Sequence, residues 1–73
     1  MDLSNKIVTI ETLTVVSYPP EATVKVSVSE EILPQMFKTI GQYTFKFEAV
    51  FTGFDDPNLL SGINAFLEQI PLD

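Results

Sequence analysis

Apolar residues change their spacing four times along the chain, and each change marks an element. From Lys6 to Tyr18 the composition is Val, Ile, Leu and Thr, which favours a strand. The alternation slips partway. Val8, Ile10, Val16 and Tyr18 share one parity, whereas Ile7, Leu13 and Val15 share the other. A strand keeps one face only while its period stays at two, so this segment must bulge near Thr12 or be covered on both faces. Tyr18-Pro19-Pro20-Glu21 ends it, because proline has no N–H for a ladder and biases the preceding residue toward extended geometry.

Ala22 to Ser29 alternate cleanly, with Val24, Val26 and Val28 on one face and Thr23, Lys25, Ser27 and Ser29 on the other. This predicts a half-buried strand, paired antiparallel with the first across the proline turn. Ser29-Glu30-Glu31 then reads as a helix start, with a serine cap and carboxylates at the positive end of the dipole. Ile32, Leu33, Met36, Phe37 and Ile40 fall on one helical face, and Gly41 fits the C-terminal cap. Pro34 interrupts this helix one turn in and would move its regular part to begin there.

Gln42 to Thr52 carries the strongest strand pattern: Tyr43, Phe45, Phe47, Ala49 and Phe51 alternate with Thr44, Lys46, Glu48, Val50 and Thr52. Each aromatic buries about 150–250 Å², so this stripe supplies much of the core. Asp55-Asp56-Pro57 reads as a cap followed by proline at the first helical position. From Asn58 to Ile70, Leu59, Leu60, Ile63, Phe66, Leu67 and Ile70 share one arc, and Pro71 stops the helix. Gly62 inside it costs up to about 1 kcal/mol relative to alanine, which close packing against the sheet would explain. The expected order is therefore β-β-α-β-α. It describes a single α+β domain over residues 1–73, with a three-stranded, mainly antiparallel sheet and two helices packed on one face.

Composition narrows the chemistry. The 73 residues contain no Cys and no His, which removes disulfides, thiolate nucleophiles, the common zinc sites and the usual general base. Four lysines stand against ten carboxylates, a net charge of −6, and Lys6, Lys25, Lys38 and Lys46 form no stripe. Nucleic-acid and anionic-membrane binding both need clustered cations, so neither partner is expected. No apolar run approaches the ~18 residues of a membrane span, and the opening Met1-Asp2-Leu3-Ser4-Asn5-Lys6 does not resemble a signal segment. A cytoplasmic location is the default expectation.

Paired acidic residues are the remaining catalytic candidates. Asp55 and Asp56 are adjacent, as are Glu30 and Glu31, but consecutive side chains diverge, and helix caps explain both pairs. Lys46 and Glu48 read as a solvated pair on one strand face. Asp55, Asp56 and Asn58 lack the spacing and closing glutamate of a calcium loop. Gly41, Gly53 and Gly62 are isolated and form no phosphate cradle. No catalytic residue, cofactor or metal is assigned.

Association remains. The first strand carries apolar residues on both parities, and a chain of this size buries only about 60% of its unfolded surface. Ile7, Val8, Ile10, Leu13, Val15, Val16 and Tyr18 are the interface candidates. The expected function is a small, acidic, non-enzymatic interaction module that pairs with itself, as a homodimer or larger, and with another protein. Two alternatives follow from the same composition. One is an acidic inhibitor that imitates nucleic acid; the other is a carrier with an apolar cavity lined by Met36, Phe45, Phe47 and Phe66.

Overall fold

Three long strands run back and forth, and one helix lies across them. The structure is a computed structural model that describes residues 2–71. The strands are β1 (Lys6–Ser17), β2 (Pro20–Leu33) and β3 (Met36–Phe47), and the helix is α1 (Pro57–Glu68). The sheet is an antiparallel meander in the order β1-β2-β3. The ends of the expected 1–73 domain at residues 1, 72 and 73 lie outside the described residues.

This corrects the β-β-α-β-α order. The segment expected to form a first helix, from Ser29 to Gly41, instead completes β2 and opens β3. Pro34 and Gln35 form a two-residue turn, and Leu33 pairs with Met36 across it. Proline presets the first turn position, and Gln35 takes φ 63° at the second, the combination of a type II turn. Ile32, Leu33, Met36 and Phe37 lie symmetrically about that turn, and the same symmetry mimics helical spacing. Within a helix, Pro34 would remove a hydrogen bond and clash with the preceding turn, at about 3 kcal/mol. Glu30 also stands directly opposite Lys38, a favourable cross-strand pair.

The bulge expected near Thr12 is present. The register of β1 against β2 shifts between Ile10 and Thr12, leaving Glu11 as the extra residue. That one residue reverses the parity of everything after it. Val8 and Ile10 pair with Val28 and Val26, and Leu13 and Val15 pair with Val24 and Ala22. All four therefore face the same way, whereas regular alternation divides them. A second shift, between Val28 and Ser29, leaves Ile40 as the extra residue of β3, and Ile40 packs at the margin of the core.

The core sits between one face of the sheet and α1. Ala22, Val24, Val26 and Val28 of β2 are fully buried beneath Leu59, Ile63 and Leu67 of α1. Each valine, leucine or isoleucine so buried contributes about 1.5–3 kcal/mol. Phe45 and Phe47 of β3 close one side by packing on Phe66, with ring centroids 5.2 and 5.4 Å apart. Regular pairing stops at Phe47, short of the expected Thr52, and the chain then bends so that Phe51 meets Phe47 edge-on at 5.3 Å.

The helix begins as its sequence predicts: Asp56 is the cap and Pro57 the first helical residue. Gly62 faces the Phe47 ring, and a Cβ there would lie 2.7 Å from the ring's Cε1. The glycine therefore admits the ring against the helix backbone. Gly62→Ala should gain up to about 1 kcal/mol of helix propensity and lose about 1–3 kcal/mol to overpacking. The expected result is a lower urea midpoint in the intact core and a higher one when the same change is made in Phe47→Leu.

Candidate functional site

Strand lengths dictate where apolar surface is left uncovered. β1 begins with Lys6 opposite Glu30, so Glu31–Leu33 and Met36–Phe37 extend beyond it and pair only with each other. They form a two-stranded arm at one end of a molecule 44 Å long. Within the arm the register shifts again between Glu31 and Leu33, leaving Ile32 unpaired. Its apolar side chains are uncovered, from 46% exposure at Ile7 beside the arm to 56% at Leu33, with Ile32, Met36 and Phe37 in between. An open groove of about 510 Å³ runs between Ser4–Ile7 and the arm, walled by Ile32, Leu33, Pro34 and Phe37.

The sheet face away from the helix is different in kind. Thr9, Ser27 and Gln42 align across the three strands, as do Thr12, Lys25 and Thr44. Bulged Glu11 pairs with Lys25 at 3.9 Å and accepts from Gln42 Nε2 at 3.4 Å. Lys46 pairs with Glu21 at 3.9 Å rather than with Glu48, which follows the end of β3. These contacts are solvated, so each is worth less than about 1 kcal/mol.

The seven residues of the expected interface divide between environments. Val8, Ile10 and Leu13 are half-buried and pack against the core, and Val15 continues their row with its side chain exposed. Ile7 and Val16 lie on the opposite face, at opposite ends of β1. Tyr18 is 94% exposed in the β1–β2 turn, where the Tyr18–Pro19 peptide bond is cis. The bulge thus brings the seven together on no single surface; only Ile7 lines the groove. The arm itself was concealed in the sequence by its helical spacing, although Pro34 followed by a polar residue carried the turn signal.

Asp56 is occupied by structure. Its Oδ1 accepts from the Asn58 N–H at 2.9 Å, and its Oδ2 accepts from the N–H and hydroxyl of Thr52 at 3.0 and 3.2 Å. The Thr52 N–H, followed by the Asn58 N–H, holds its carboxyl below the ordinary range. The Ser4 N–H does the same for Asp2 at 3.0 Å. Among the described residues, no three carboxylates are gathered as ligands for a cation. Among the described residues, no helix is long and apolar enough to cross a membrane.

No family model matches the chain, no curated protein matches its sequence, and no solved structure matches its fold.

The turn and the helix cap can each be tested. A left-handed backbone costs a residue with a side chain about 1–2 kcal/mol, and asparagine tolerates it best. Gln35→Asn should therefore raise amide-exchange protection in the arm by about two- to fivefold, and the β-branched Gln35→Val should lower it. Asp56, with its carboxyl held low in the folded state, stabilises fully above the ordinary aspartate range. That contribution disappears as pH falls through the depressed value. The thermal midpoint should drop below pH ~4, with a shallower drop in Asp56→Asn.

Proposed function

We propose that this chain is a small non-enzymatic association module that docks through its hairpin arm. The observation that carries this reading is the arm itself. Ile32, Leu33, Met36 and Phe37 lie beyond β1 and outside the cover of α1, each about half exposed. A monomer that never met a partner would gain nothing from an apolar patch at the end of its longest hairpin, where it invites aggregation. The non-enzymatic part draws support from how the carboxylates are used. Asp56 caps the helix, while Glu11 and Glu21 hold Lys25 and Lys46.

The two alternatives draw less support. An acidic mimic needs a continuous anionic surface, yet each of the four lysines stands beside a glutamate in the sheet, Lys6 and Lys38 both next to Glu30. A carrier needs an apolar void, yet Phe45, Phe47 and Phe66 pack on one another and Met36 stands apart in the arm.

The test is mass in solution. By light scattering at tens of micromolar, the chain should exceed its monomer mass of 8.1 kDa. The variant Leu33→Thr/Phe37→Thr keeps residues that suit strands, and it should return the mass to the monomer with an unchanged helical signal. A strictly monomeric parent chain would overturn the self-association reading.

A further inference from the structure

Charge distinguishes what the arm can dock against. We propose that the groove between Ser4–Ile7 and the arm receives the arm of a second copy of this chain about a two-fold axis, with Lys6 of each copy facing Glu31 of the other. This inference rests on the association reading and specifies its partner and geometry.

Three observations support it. The first is local neutrality. A chain of net charge −6 repels its own copies, so a self-contact belongs where that charge is cancelled. The arm end carries Lys6 and Lys38 against Glu30, Glu31 and the nearby Asp2, so most of the negative charge is cancelled there. The opposite candidate fails this condition. Val50, Phe54, Leu60 and Phe66 are also exposed, but the sequence from Phe47 onward carries Glu48, Asp55, Asp56, Glu68 and Asp73 and no lysine. Two copies meeting there would set like charges face to face.

The second is self-complementarity. A two-fold interface uses the same patch on both chains, so it must hold its own opposite. The groove lining includes Lys6 and Glu31 together with Ile7, Ile32, Leu33 and Phe37. Lys6 already donates to Asn5 Oδ1 at 3.2 Å, and an ammonium has two further donors to offer.

The third is area. Five large side chains about half exposed, at ~200 Å² each, leave about 500 Å² per copy. Two facing arms bury at most about 1,000 Å², the size at which specific interfaces begin. The dimer is therefore expected to form and dissociate readily at micromolar concentrations.

Charge reversal tests the pairing. Lys6→Glu alone sets carboxylate against carboxylate at both symmetry-related contacts, and Glu31→Lys alone sets ammonium against ammonium there. Each variant should dissociate at least tenfold more readily than the parent chain. Mixed in equal amounts, they should recover dimers of mixed composition, read by native mass spectrometry of chains carrying different isotopes. Circular dichroism confirms that each variant is folded. If both variants dimerise like the parent chain, the copies meet elsewhere; the two-fold groove is then wrong while self-association stands. If the variants dissociate but their mixture recovers no mixed dimer, the Lys6–Glu31 pairing is wrong. A parent chain that stays monomeric removes both the pairing and the association reading.

Discussion

One short helix has to cover a much longer sheet. At 1.5 Å per residue, the twelve residues of α1 span about 18 Å. The fourteen of β2 span more than twice that, at about 3.4 Å each. The buried run of β2, from Ala22 to Val28, is about 20 Å long and matches the helix. Everything beyond it must be polar, self-covered or left bare. The face away from the helix is chiefly polar, with rows of Thr and Ser and the Glu11–Lys25 pair. Phe45 and Phe47 of β3 cover themselves against Phe66 and Phe51. The arm is left apolar and bare, as are Val50, Phe54 and Leu60 around the helix.

The bulge at Glu11 makes that short cover sufficient elsewhere. Without it, either Val8 and Ile10 or Leu13 and Val15 would turn away from the helix, and the sheet would need a second apolar layer. With it, one row of β1 side chains lines the core side from end to end. The displaced Glu11 is then free to reach Lys25 and Gln42 on the polar face. A single extra residue thus concentrates the core on one face and polarises the other.

Charge follows the same division. The lysines are confined to the sheet, beside glutamates, whereas the helix and its approach carry carboxylates alone. The molecule therefore has a nearly neutral end at the arm and an acidic end at the helix. That asymmetry separates the two exposed apolar regions, which burial alone makes look equivalent.

Several features were already determined by the chain's own letters, because their causes are local. The valine alternation of β2 and the aromatic alternation of Tyr43, Phe45 and Phe47 each report a face directly. Asp56-Pro57 sets the helix start through its own hydrogen bonds, and the slipped alternation of β1 left two outcomes, a bulge or cover on both faces, of which the structure takes the bulge. What only the tertiary structure decided was the segment from Ser29 to Gly41. Its apolar residues satisfy a helical arc and a two-residue hairpin equally well. The choice fell to long-range pairing with β1 and to the turn at Pro34 and Gln35, neither of which periodicity measures. The uncovered arm follows from that choice, because it exists only where one strand outruns its neighbour.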